Sequence, residues 1–430
     1  MTDACITKSM NKENYTAFSG DRSISVAQAV AQARAEKKPL VGLIGVVAPI
    51  EIVLAAGCIP LTLTAQAEDW NLSAAPMEEG HEPEVRSLFR QALAGAFADC
   101  DLLIIPSTSD GYRFLYQYLK EMKRQGRGEQ IPPLFAFDFL FGRADAVRSY
   151  SKQVAQGLLD RLTSLTGKPI SKTDLQSAIH ETNRVRQQCQ RLAALRYEGL
   201  ISGQDAHRAL RAGACQTPSR YADALENWLA ELSSTTGSST HPDTGPETHP
   251  DTGPNLRPRL LLISAVPLYH DVLHAIAEHS GALVISEDDD WGARRASPQI
   301  PLDDDPLEAL FAHTYQYACS PRMLRAEREA WVIAQMQSTK VDGVVFYIPP
   351  SDQSFGWRYP DLKAQATACG LPSCLLRDEV LDPESHTWIA EKIRLFHSLS
   401  LSQFVMQNQT PTQTKAPDHT TPPTNSGAGS

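Results

Sequence analysis

The chain has 430 residues, 42% hydrophobic and 21% charged, with a formal charge of -10 at pH 7. That acidic balance excludes a binder of nucleic acid or anionic membranes, which needs concentrated Lys and Arg, and leaves small molecules or proteins as the expected partners. The length exceeds one ordinary core and predicts two domains.

The first residues, MTDACITKSMNKENY, show neither the apolar core of a signal peptide nor a basic amphipathic pattern, and no later apolar run approaches a membrane span. A cytoplasmic protein is the expectation. The eight cysteines have no regular spacing, which fits reduced thiols better than a disulfide framework.

In chain order, KPLVGLIG reads as a strand, PIEIVLAAG as a helix and IPLTLTA as a strand. Val85, Leu88, Phe89, Leu93 and Phe97 mark the buried stripe of the next helix, and DLLII and PLFAF supply two more strands. This is the pattern of a parallel sheet covered by helices. From Arg143 the texture changes to long amphipathic segments, with Gly167 as a helix stop and Ser171 to Asp174 spaced as a capping box. Residues 233–256 contain HPDTGP twice among dense Ser, Thr, Gly and Pro, the composition of a disordered linker. The βα texture then resumes through RPRLLLISA, HDVLHAIAEHSG, ALVISE, a helix over 321–337, DGVVFYI, LKAQATACG, PSCLL and WIAEKIRLFHSL. The expected fold is α/β: two doubly wound parallel-sheet, Rossmann-like lobes, 1–142 and 257–407, joined by a helical connector over 143–232 and the linker, with a disordered tail over 408–430.

Open parallel sheets hold ligands at the carboxyl ends of their strands. Two such ends carry matching residues, PSTSDG after DLLII and PPSDQSFG after DGVVFYI, so that Ser109-Asp110 and Ser351-Asp352 stand at corresponding places. Ser-Asp can cap the following helix or line a site. Asp288, Asp289 and Asp290 precede Trp291 and Gly292, with Arg294 and Arg295 after them, and read as a solvated loop or as a loop over the cleft. His270 and His274 share a helix face but lack the glutamate of a His-Glu-x-x-His zinc motif. There is neither a Walker A loop nor a GxGxxG after a strand, which makes nucleotide-cofactor enzymes poor readings.

The stretch GLIGVVAPIEIVLAAGCIPLTL, with Pro49, Glu51, Gly57 and Pro60, resembles the N-terminal signature of the 2-hydroxyacyl-CoA dehydratase and benzoyl-CoA reductase subunit family. Similar segments follow in order: EPEVRSLFRQAL, DLLIIPSTSDGYRFL, SKTDLQSAIHETNRVRQQ, RPRLLLISAVP, EDDDWGARR, and KVDGVVFYIPPSD with GLPSCLLRDE. The resemblance implies two paired subunits, an acyl-CoA thioester substrate, a 4Fe-4S cluster held by three cysteines and a separate ATP-hydrolysing activator. It places those cysteines where this chain reads Glu82, Ser109 and Ser351, so the cluster is expected to be absent here. It also sets Glu51 near the thioester as the candidate catalytic residue, although a first-turn glutamate equally complements a helix dipole. Pro49, Gly57, Asp110, Asp352 and Arg294 would border the substrate, Arg294 at a CoA phosphate. Three functions follow as expectations: half of an acyl-CoA cleft in a dehydratase-type or related reductase-type complex whose cluster sits on a paralogous subunit, a non-catalytic relative that binds an acyl-CoA or a partner, or a cluster enzyme with altered ligation.

Overall fold

Short apolar runs bounded by turn residues form eight strands in the computed structural model, which describes residues 26–45, 47–65, 77, 81–236, 257–264, 270–289, 292–318, 325–338, 341–350, 352–377 and 387–394. Strands β1 (Leu40–Ile44), β2 (Ile59–Leu63), β3 (Leu102–Pro106) and β4 (Leu134–Phe137) pair in the order β2-β1-β3-β4. Strands β5 (Arg259–Ile263), β6 (Leu283–Asp288), β7 (Gly343–Tyr347) and β8 (Ser373–Leu376) pair in the order β6-β5-β7-β8. Every pairing is parallel. Strands β1, β3 and β7 are buried along their whole length, as helices on both faces of a sheet require. The two sheets therefore repeat one topology. In each, the connections change direction between the first and third strands, which opens a crevice at their carboxyl ends.

Helices α1 (Val26–Glu36), α2 (Ile50–Ala55), α3 (Pro83–Leu93) and α4 (Asp110–Arg124) belong to the first half. Between the sheets in sequence come α5 (Asp145–Thr166), α6 (Lys172–Tyr197), α7 (Gly203–Arg211) and α8 (Pro218–Thr236). Helix α5 stops at Gly167, whose φ of 71° is a left-handed cap that a residue with a Cβ disfavours. Helix α6 starts with the reciprocal Ser171–Asp174 capping box that the sequence spacing predicts. The second half holds α9 (His270–His279), α10 (Pro306–Tyr317), α11 (Arg325–Met336), α12 (Gln353–Ala368) and a last helical segment, 387–394. Among the described residues no helix is long and apolar enough to cross a membrane. Helix α8 runs on to Thr236, so the expected linker begins with a helical turn; residues 237–256 and the tail lie outside the described residues.

The packing of α10 is not evident from the sequence. Ile300, Leu310 and Phe311 follow β6, yet they share a core with Ile52, Phe137, Phe139, Leu158 and Leu162 around the first sheet. The segment that leads to α10 is fastened along α6 by polar side chains: Lys172 and Gln176 donate to the carbonyls of Asp304 and Asp303, and Gln190 donates to that of Ser297. Helix α6, about 39 Å long at 1.5 Å per residue, thus contacts α2 and α10 at one end and β6 at the other.

Candidate functional site

The crevice of the first sheet lies between the ends of β1 and β3. After β1 the chain turns at Gly45, whose φ is 67°, beneath the ring of Tyr112; a Cβ there would lie 3.3 Å from the ring. Pro49 then sets φ at -69° ahead of α2 and places Glu51 in the first turn, where it is buried. After β3 the buried Ser107 and Thr108 lead to Ser109, whose hydroxyl accepts from the Tyr112 backbone N–H at 3.1 Å and caps α4. Glu82 precedes α3 but reaches across to the same place: a Cβ on Gly111 would lie 2.4 Å from its Oε2. Glu82 and Ser109, 27 residues apart, therefore meet at the N-terminus of α4, where the first-turn amides complement a carboxylate.

A second carboxyl joins them. The Tyr112 hydroxyl donates to Glu84 Oε1 at 2.9 Å. Burial pushes the Glu84 carboxyl above its ordinary range, the Tyr112 hydrogen bond opposes that shift, and the Glu82 charge adds to it. Sequence reasoning did not single out Glu84. The signal lay in Glu-Pro-Glu, which puts a carboxylate on each side of the proline that opens a helix.

Glu51 is shifted the other way. Its Oε1 accepts from Arg186 Nη2 at 2.6 Å and from Thr182 Oγ1 at 2.9 Å. Burial alone would raise its carboxyl, but the Arg186 charge and these hydrogen bonds outweigh burial and hold it below the usual range. It is a carboxylate at neutral pH, able to accept a proton and unable to donate one. Thr182 and Arg186 stand four residues apart on one face of α6. His313 of α10 lies near the pair. Burial, and then the Arg186 charge, lower its imidazole to about 4, so it is neutral, with Nε2 3.0 Å from the Pro298 carbonyl. Neither Arg186 nor His313 stood out in the sequence, because nothing in the linear order sets them beside Glu51.

In the second lobe, Asp352 accepts from the Phe355 backbone N–H at 2.8 Å. By capping role, Asp352 corresponds to Ser109 and not to Asp110. Ser351 lies outside the described residues. Asp110 follows the Ser109 cap, with its side chain exposed and 3.7 Å from Arg113. Gly57 sits at the opposite end of α2 from Glu51, with a φ of 75° and nothing within 4 Å of a Cβ, and serves the turn into β2.

Asp288 and Asp289 are interior residues, which overturns their reading as a solvated loop. Asp288 ends β6 and accepts from Arg294 Nε at 2.5 Å; Arg294 also donates to the Arg328 carbonyl and lies over the Trp331 ring. Asp290, Trp291 and the His270 side chain lie outside the described residues. His274 is buried 3.8 Å from Glu287.

A thiolate-held cluster needs soft donors with accessible pKa values. The described donors at the first crevice are oxygens. Cys58 and Cys100 lie one and two residues before β2 and β3, at the opposite edge of the sheet, and burial, reinforced by the Asp101 charge, pushes each thiol up to about 12. Among the described residues at this crevice the donor set does not fit such a cluster. Among the described residues no group of three or more His, Cys, Asp or Glu is placed to hold a metal ion. A family model described as 2-hydroxyglutaryl-CoA dehydratase, D-component, matches residues 45–395, from the turn after β1 to beyond the last described helix. A search of curated proteins finds no match.

Proposed function

Because the chain belongs to the 2-hydroxyglutaryl-CoA dehydratase D-component family, we propose that it is a subunit of a 2-hydroxyacyl-CoA dehydratase-type or related reductase-type complex that contributes half of an acyl-CoA cleft and no cluster of its own. The observation that carries this reading is Glu51, buried at the switch point of the first sheet and held as a carboxylate. Loss of water from a 2-hydroxyacyl thioester requires one group to take up a proton and another to supply one to the departing hydroxyl. Glu51 suits the first task. Glu84, pushed the other way, suits holding a proton, and two carboxyls separated in this manner are the usual basis of an acid and base division.

In this reading Glu82, Ser109 and Ser351 occupy the family's cysteine positions, and the redox centre belongs to a paralogous subunit served by an ATP-hydrolysing activator in the cytoplasm. Pro49, Asp110 and Asp352 border the strand ends that would face the substrate. Gly57 shapes the far end of the Glu51 helix, and Arg294 reaches a CoA phosphate only by releasing Asp288. The oxygen-only donor set also favours a second reading, a non-catalytic relative that keeps the cleft for binding.

The test is iron and acid-labile sulfide analysis of the protein purified without oxygen, together with calorimetric titration of 2-hydroxyglutaryl-CoA and free CoA. Absence of iron and sulfide with thioester binding is the expected result. Near-stoichiometric cluster content removes the proposal. Binding that persists unchanged in Glu51→Gln, with no gain of turnover in the presence of a cluster-bearing subunit, selects the non-catalytic reading.

A further inference from the structure

Glu51 is held from one helix face, and that face also holds a segment from the far half of the chain. Arg186 Nη2 donates to Glu51 Oε1 at 2.6 Å, while its Nη1 donates to Thr182 Oγ1 at 2.7 Å and Asn183 Oδ1 at 3.2 Å. The Asn183 amide pairs with the backbone of Ile300 at both of its atoms, Nδ2 donating to the carbonyl at 2.8 Å and Oδ1 accepting from the amide at 2.8 Å. Ile300 is itself buried in the core beside Ile52, the residue after Glu51. The Arg186 side chain is only slightly exposed, at 15%, and a planar fork with fixed donor directions orients what it binds, as a flexible ammonium does not.

We propose that Arg186 is a positioning residue for Glu51: it aims the carboxylate through Oε1 and, through Asn183, ties that orientation to the 297–304 segment laid along α6. The functional consequence rests on the reading of Glu51 as the residue that faces the acyl thioester, whereas the geometry does not. Burial opposes charge on Glu51, and Arg186 is the largest influence against burial. The neutral His313 supplies no second cation. A carboxylate so placed is available as an acceptor whenever the 297–304 segment is docked, and loses its aim when the segment lifts.

The experiment is a pH titration of glutamate side-chain carboxyls by carbon-13 NMR on the full chain, with Glu51→Gln to assign the signal. In the wild type, Glu51 should titrate below the ordinary glutamate range. In Arg186→Gln the midpoint should rise by about 1–3 pH units, because burial persists without the cation. Arg186→Lys should fall between the two, keeping the charge without the fork. Asn183→Ala should leave the midpoint low but move the Glu51 resonance at fixed pH, since it cuts the tie and spares the charge. A variant that is less heat-stable while its Glu51 titration matches the wild type overturns the proposal, because Arg186 is then a structural support alone. If Arg186→Gln does not fold, Arg186→Lys decides. Calorimetry with 2-hydroxyglutaryl-CoA runs in parallel: an Arg186-dependent titration without thioester binding removes the acyl-CoA reading and keeps the positioning role, and the converse result does the reverse.

Discussion

The two lobes share one strand order and differ in how they use the ends of their strands. The first keeps its polar groups at the carboxyl edge of β1 and β3, where Glu51 pairs with Arg186 and the Tyr112 hydroxyl donates to Glu84. The second fills the corresponding edge with charge that is already matched. There Arg196 Nε donates to the Val284 carbonyl and its fork binds the Glu287 carboxylate, Arg294 holds Asp288, and the tilted rings of His207 and His274, 5.2 Å apart, lie near Asp289 and Glu287 respectively. One topology can therefore serve as a site in one copy and as a polar core in the other. What separates them is how many cations meet the strand-end carboxylates: one, Arg186 of α6, at the first, and Arg196 of α6 together with Arg294 at the second.

The strongest way to break this comparison is to remove the α6 arginine that pairs with each lobe's strand-end glutamate. Arg196 is 2% exposed and its partner Glu287 is fully buried, so Arg196→Met leaves a carboxylate without its cation, at a cost of about 3–5 kcal/mol. Arg186→Met should cost less, because the Arg186 side chain is 15% exposed against 2% for Arg196. Urea denaturation of both variants gives the ranking directly. Equal losses would mean that the first pair is as much a core element as the second, and would weaken the assignment of a site to the first lobe.

A pH series sharpens the contrast. Glu278 of α9 caps the N-terminus of α7 by accepting from the Gly203 backbone N–H at 2.5 Å, and burial pushes its carboxyl from 4.5 to about 7. A carboxyl whose folded value is raised keeps its proton where the unfolded chain has already released it. Stability from this group is therefore full below pH 4.5 and declines as pH rises through about 7. The full shift corresponds to an upper bound of about 3 kcal/mol. Glu51 has the opposite sign: its folded value is lowered, so its contribution is present above the ordinary glutamate range and is lost as pH falls below it. Glu278→Gln should flatten the loss between pH 4.5 and 7 and leave the acid limb intact, as measured by thermal unfolding across pH. An unchanged profile would place the titration elsewhere.

Much of the fold was legible because its signals are local. Alternating apolar runs and amphipathic stretches gave the strands, Gly167 and the Ser171–Asp174 box gave helix ends, and PSTSDG after DLLII marked the carboxyl end of β3. Helices α1, α7 and α10 were not visible in the same way. Helix α10 in particular owes its place to Ile300, Leu310 and Phe311 packing on a sheet more than 150 residues earlier in the chain, which no local pattern encodes. The site was legible where one segment supplies it and illegible where several do. Glu51, Glu82 and Ser109 could be picked out one by one, but Arg186, Glu84 and Tyr112 acquire meaning only from contacts across the fold. The acidic run at 288–290 misled for a related reason: consecutive aspartates imply solvent unless the arginines that neutralise them, Arg294 and Arg328, are known to lie alongside.

The smallest expected effect tests the correspondence between the strand-end helices. Counting five residues from each cap, Ser109 and Asp352, reaches Phe114 on α4 and Trp357 on α12, and both are exposed, at 49% and 86%. The buried aromatic two positions earlier also corresponds, Tyr112 in one helix and Phe355 in the other. An apolar side chain that remains in water gains little from folding, so Trp357→Ala should change stability by less than about 0.5 kcal/mol. Phe114→Ala should cost slightly more, because the Phe114 ring meets His81 at 5.0 Å. Urea denaturation with acrylamide quenching of Trp357 fluorescence checks both points. A cost above about 1 kcal/mol at Trp357, or a quenching-resistant signal, would show that α12 is covered in solution where α4 is not. The one-residue offset between the lobes would then align the sequence without aligning the two surfaces.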